Sequence, residues 1–168
     1  MNKRPVRRSN VELLDRLRSL FQEFNRQFFG GALPEYEVRV ELLIDGKTII
    51  KLRNEKYRQL PSLGNDLSGL CLAEEQLIFI DSRCSMLEDE CVREVLLHEM
   101  CHAAAYRIAP APPSSDPHGQ EFVAELRRLS AFGEAWAGEE AQNYQTVPPG
   151  QQAKCPLDTL KQTARDVF

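Results

Sequence analysis

Leu96-Leu97-His98-Glu99-Met100-Cys101-His102-Ala103-Ala104 sets two histidines four residues apart inside an otherwise apolar run. Residues at i and i+4 of an α-helix lie one above the other on one face, so both imidazoles can reach the same cation. Each residue turns the helix by about 100°, which places Glu99 roughly 60° around from His102. Its carboxylate then reaches the edge of the site rather than the ion. Zinc lowers the pKa of a bound water toward about 7, and a nearby carboxylate can take the proton as the oxygen attacks a carbonyl. The competing structural reading is a buried helix whose histidines hydrogen-bond within the core. Two imidazoles and a carboxylate are costly to bury there without a shared partner.

Around the motif, Val92, Val95, Leu96, Leu97, Met100, Cys101 and Ala103 to Ala105 surround the helical wheel. A helix apolar on all sides is buried, so Glu88 to Ile108 is predicted to be an internal helix. Pro110, Pro112 and Pro113 end it. A catalytic zinc normally takes three protein ligands and keeps one position open. The chain has three histidines, and the third, His118, follows that proline-rich loop. The loop lets the chain double back, and Gly119 allows close backbone approach. A helix is expected from Pro117 to Phe132, with Asp116 as N-cap and Pro117 in the first helical position. The candidate metal ligands are His98, His102 and His118, the candidate catalytic base is Glu99, and the expected cofactor is Zn2+.

Toward the N-terminus, Leu13, Leu14, Leu17, Leu20, Phe21, Phe24 and Phe28 recur at helical spacing from Val11 to Phe29. Ser9 or Asn10 can cap this helix, and Gly30-Gly31 can stop it. Tyr36, Val38 and Val40 then alternate with charged residues, a period-two strand pattern. Asp45-Gly46 predicts a hairpin returning through Thr48 to Leu52. Asn54 to Leu60 reads either as a helical turn or as irregular, and Pro61, Gly64 and Asn65 mark a loop. Ser68 to Ala73 and Gln76 to Asp81 predict a second hairpin across Glu74-Glu75. Such short connections lead to a small, mainly antiparallel sheet. Beyond Gly133 the chain is polar and interrupted by Gly and Pro, apart from Trp136 and Tyr144. It reads as a loosely packed tail with a short closing helix near Leu157 to Val167. The expected organisation is a basic flexible start (1–9), one α+β domain (10–133) and a C-terminal tail (134–168) packing on or extending from the domain.

Composition narrows the function classes. With 168 residues, 42% of them apolar, one domain can bury a genuine core. A net charge of −4 argues against a globally basic surface for nucleic acid or membrane. Lys3, Arg4, Arg7 and Arg8 nevertheless cluster at the start, as a solvated arm or as one that touches phosphates. No apolar run is long enough for a membrane span, and no apolar stretch follows the basic start as in a signal peptide. Five irregularly spaced cysteines suit reduced thiols, so the expected compartment is the cytoplasm.

Four segments in order resemble the SprT-like (SprT/Spartan) metalloprotease family. Asn25-Arg26-Gln27-Phe28-Phe29-Gly30-Gly31-Ala32-Leu33-Pro34 is similar to its FNxxFFGGxLP opening, and Ser68-Gly69-Leu70-Cys71 to its Ala-Gly-x-Cys strand. Leu97 to Ala103 resembles its LHEMxHA helix, and Pro117 to Phe122 its HGxxF element. The resemblance implies a zincin-like α+β protease fold with three histidine ligands and a glutamate base. It also implies a protein or peptide substrate and a link to DNA, with DNA-crosslinked protein as one substrate class and a nuclear or nucleoid setting beside the cytoplasmic one. Two departures stand out: no C-x-x-C pair forms a zinc ribbon in these residues, and Ser68 replaces the usual Ala. The expected activity is zinc-dependent peptide-bond hydrolysis. The alternatives are a non-catalytic zinc module that docks on DNA or protein, and a deformylase-like amidohydrolase with Cys71 as third ligand.

Overall fold

The computed structural model describes residues 9–44, 47–59, 67–110 and 116–146. The basic cluster at residues 3–8, the Asp45-Gly46 turn and the closing helix expected near 157–167 lie outside them.

The first helix, α1 (Asn10–Phe28), begins with a capping box. Ser9 Oγ accepts from the Glu12 amide at 3.2 Å, and Glu12 Oε2 accepts from the Ser9 amide at 2.7 Å. Two of the amides left unpaired by the first turn are thereby satisfied. At the other end, Gly30 (φ 61°) and Gly31 (φ 71°) take the left-handed conformation that ends the helix, and the Gly31 amide donates to Asn25 O at 2.8 Å. The Asn25 side chain then clasps the returning chain, donating to Leu33 O at 3.0 Å and accepting from Leu33 N at 3.1 Å. The Asn…Gly-Gly…Leu-Pro pattern is thus a helix stop with a side-chain clamp. Leu13, Leu17, Leu20, Phe21, Phe24 and Phe28 form its buried face.

Five strands follow: β1 (Glu37–Glu41), β2 (Ile49–Lys51), β3 (Tyr57–Gln59), β4 (Gly69–Leu72) and β5 (Leu77–Asp81). The hairpin across Glu74-Glu75 forms as expected, with β4 antiparallel to β5. The hairpin expected between the first two strands does not. Instead β1 lies parallel to β5, Glu37 opposite Leu77, and β2 pairs with β3. The ambiguous stretch Asn54 to Leu60 supplies that partner. The main sheet is therefore mixed, in the order β1-β5-β4, rather than mainly antiparallel. Its central strand explains the pairing. All five residues of β5 are buried, Ile78 and Ile80 in the core shared with the helices, Leu77 and Phe79 in a smaller cluster with Leu43, Ile50 and Leu72. A strand covered on both faces needs a neighbour along each edge, and β1 provides one of them.

After a 3-10 turn (Ser82–Met86), α2 (Asp89–Ile108) runs through the core, with Val92, Val95, Leu96, Leu97, Met100 and Cys101 buried. The next helix, α3, spans Gln120–Ala131 and is capped by Gly119, so it starts three residues later than expected. Pro117 and His118 instead form a turn, in which Asp116 Oδ1 accepts from the His118 amide at 2.9 Å. The residues after Gly133 correct the sequence reading further. They form α4 (Ala135–Thr146), which packs on α3 with Ala137 and Ala141 buried. A loosely packed tail is not what residues 135–146 form. Gly133 turns the chain at φ 104°, Glu134 bonds both Arg93 (3.2 Å) and Trp136 (3.0 Å), and Gly138 sits where a Cβ would meet Ser130 Oγ at 2.5 Å. Among the described residues the fold is α+β, with four α-helices and a small mixed sheet, and no helix is long and apolar enough to cross a membrane.

Candidate metal centre

His98 and His102 lie one turn apart on α2, as their spacing requires, with ring centroids 4.9 Å apart. Their Nε2 atoms face each other at 3.2 Å. The Asp116 turn brings His118 against them, its ring centroid 5.5 Å from that of His98 and 5.0 Å from that of His102. One nitrogen from each imidazole lies within 4.8 Å of the others. Sequence spacing predicted this convergence, and the structure brings all three rings together.

Phe122, in the first turn of α3, forms the floor. It stacks on His102 at 4.2 Å and meets His98 and His118 edge-on at 5.0 and 4.9 Å. The sequence places Phe122 on an apolar helix face and in one HGxxF element with His118, but does not show that its ring touches all three histidines. Burial against such a floor disfavours protonation. Burial, then the neighbouring imidazoles His98 and His118, hold His102 well below its ordinary pKa. Burial and His98 push His118 down to about 4. Both rings are therefore neutral near pH 7, with a lone pair to donate. His102 also bonds the backbone of Pro117, which as a proline offers only its carbonyl.

His98 behaves differently. Burial alone would lower its pKa, but the Glu140 carboxylate, followed by Glu99, outweighs that and raises it. Its Nδ1 lies 2.9 Å from Glu140 Oε1, although the ring N–H points off the line between them. Glu140 is buried on α4, and its Oε1 also accepts from the Tyr144 hydroxyl at 3.2 Å. Tyr144 in turn stacks on His118, with centroids 4.3 Å apart and ring planes within 17°. Sequence reading missed both residues. The available signal was the spacing of Ala137, Ala141 and Tyr144, an i, i+4, i+7 stripe hidden among polar residues.

Glu99 is only 5% exposed, at the edge of the histidine cluster. Gly69 of β4 makes room for it: a Cβ there would fall 2.5 Å from Glu99 Oε1 and 2.8 Å from its Cγ. The carboxylate is thus held between the buried helix and the sheet edge. Cys71, on the same strand, is not part of the metal-binding cluster found among the described residues. Burial, then the Glu99 and Glu75 carboxylates, push its thiol well up from the ordinary range. The third residue brought to His98 and His102 is therefore His118, not the Cys71 that the deformylase-like alternative requires.

The donor set fits a small divalent ion. Two ligands at about 2.0–2.1 Å around a tetrahedral zinc lie about 3.3 Å apart, close to the His98–His102 separation. Three histidines are positioned to bind a metal ion.

No curated protein and no solved structure matches the chain. The SprT-like family profile matches residues 17–145, from the middle of α1 to the last turn of α4, and the chain belongs to that family.

Proposed function

We propose that this protein is a zinc-dependent endopeptidase of zincin-like design, with His98, His102 and His118 as ligands and Glu99 as general base. The carrying observation is the convergence of three imidazoles beside a buried carboxylate that no ligand position requires. Membership of the SprT-like family supports a metalloprotease-type function. Bound zinc would supply Lewis acidity toward the scissile carbonyl and a water of lowered pKa. Glu99 takes the proton from the attacking water and delivers it to the departing amine nitrogen. Its seat against Gly69 holds it at the site edge, and the close-packed neighbours leave its carboxylate little freedom to swing away.

The substrate strand has a natural place. β4 is an edge of the main sheet, and it carries Gly69 past Glu99. An extended peptide can add to such an edge through backbone hydrogen bonds, which impose little sequence preference. Protein held on or crosslinked to DNA is the substrate class to which the family resemblance points.

The test is cleavage of an unfolded protein by purified, zinc-loaded enzyme, with and without chelator and single-stranded DNA. Chelation is expected to abolish cleavage and added zinc to restore it. Chelator-insensitive cleavage, or none under any condition, overturns the reading. Stimulation by DNA supports the DNA-linked substrate class, and indifference to DNA removes it.

A further inference from the structure

We propose that α4 is part of the metal centre: Glu140 orients His98 as a zinc ligand, and Tyr144 holds Glu140 in place while bracing His118. This rests on the zinc-centre reading above and extends it to residues outside the HExxH and HGxxF elements.

Three observations carry it. First, Glu140 is 1% exposed, and a carboxylate that deep is costly unless other groups meet it. Its Oε1 faces His98 Nδ1 at 2.9 Å and accepts the Tyr144 hydroxyl at 3.2 Å. Second, His98 uses both ring nitrogens. Nδ1 faces Glu140 while Nε2 faces the nitrogen of His102 at 3.2 Å. A proton kept on Nδ1 by a carboxylate leaves the Nε2 lone pair free, which fixes tautomer and ring orientation and makes the ligand more basic. Third, charge balances. Three imidazole ligands leave the two positive charges of zinc uncompensated, and two buried carboxylates adjoin His98: Glu140, 2.9 Å from its Nδ1, and Glu99, its neighbour in the chain. The flat stack of Tyr144 on the His118 ring restrains the third ligand.

The anchoring of α4 serves this arrangement. Glu134 bonds Arg93 of α2, and Gly138 lets the helix approach Ser130 of α3. Glu140 and Tyr144 sit four residues apart, on the face these contacts turn toward the histidines.

The experiment is a zinc affinity measurement by competition with a chromophoric chelator, on the wild type, Glu140→Gln, Glu140→Leu and Tyr144→Phe. The visible spectrum of each cobalt-substituted protein is recorded in parallel. Loss of an outer partner of a metal ligand typically costs about 10–100-fold in metal affinity. Glu140→Leu is expected near the upper end, and Glu140→Gln, which keeps an acceptor but not the charge, near the lower. Tyr144→Phe keeps the stack and is expected to lose only a few-fold. The cobalt bands are expected to shift in both Glu140 variants, a change that a merely structural role would not produce. Wild-type affinity and an unaltered cobalt spectrum in Glu140→Gln overturn the proposal, and that nearly isosteric variant decides the matter if Glu140→Leu fails to fold. A wild-type protein that binds no zinc instead overturns the zinc-centre reading itself.

Discussion

The helical side of the molecule and the β2–β3 ribbon are built on different principles. Around α2, the site residues are held by contacts from three other elements: His98 by Glu140 of α4, His102 and His118 by the Asp116–Pro117 turn, Glu99 by the space at Gly69 of β4. The ribbon has two strands of three residues, with all of β3 exposed and Ile50 alone of β2 buried. Tyr57 and Ile49 stand in solvent at 70% and 65% exposure. The lesson concerns position as much as packing. A cation site demands side chains held to within fractions of an ångström, so it sits where four elements meet. The ribbon only lids a small cluster around Leu77 and Phe79.

Substitutions can break this contrast or sharpen it. The largest effect is expected from Glu99→Gln, which keeps the side-chain shape but removes the base. Cleavage should fall by about 10²–10⁴-fold while zinc content by atomic absorption stays near one per chain. Activity within a few-fold of wild type would take Glu99 out of the chemistry. Phe122→Ala comes next, since it removes the floor beneath all three histidines and leaves a cavity in the core. It should destabilise the protein by about 3–5 kcal/mol in urea unfolding.

Gly69→Ala probes the meeting of sheet and helix. The added methyl group must displace the Glu99 carboxylate, and misplacing a catalytic group by about 1 Å can cost about 100-fold in kcat. Zinc affinity should change little, because the three atoms nearest that methyl all belong to Glu99. Equal losses in kcat and zinc affinity would mean that the strand supports the metal rather than the base. The smallest effect is expected from Tyr57→Ser on the ribbon, within about 0.5 kcal/mol of wild-type stability. Were Tyr57→Ser to match Phe122→Ala in urea, the ribbon would belong to the same packed unit as the helices, and the contrast would fail.

Local rules made much of this protein legible. The capping box at Ser9 and Glu12, the Gly30-Gly31 stop, and the i, i+4 histidines of α2 depend on neighbours within a few residues. The β4–β5 hairpin was legible for the same reason. His118 could be paired with the motif because the chain has only three histidines and a proline-rich loop to bring the last one back. Errors gathered where the partner lies far away in sequence. β1 has the alternation of a hairpin strand, yet it pairs with β5, some 40 positions on, because that central strand needs cover along its edge. The early start assigned to the third helix failed because Asp116 turns the chain around His118 before capping geometry can begin. Residues 135–146 looked like tail because their buried face consists of two alanines and a glutamate, Ala137, Ala141 and Glu140, which carry little hydropathy signal.

From the sequence alone came the helices α1 and α2, the three imidazoles, the glutamate between two of them and the family, because helical periodicity and motif spacing are properties of short stretches of chain. Only the tertiary structure decided that the sheet is mixed, that Gly69 accommodates Glu99, and that Glu140 and Tyr144 stand behind His98 and His118. Those relations join elements remote in sequence, and burial against a common core, which no local pattern encodes, chooses among the pairings each element could make.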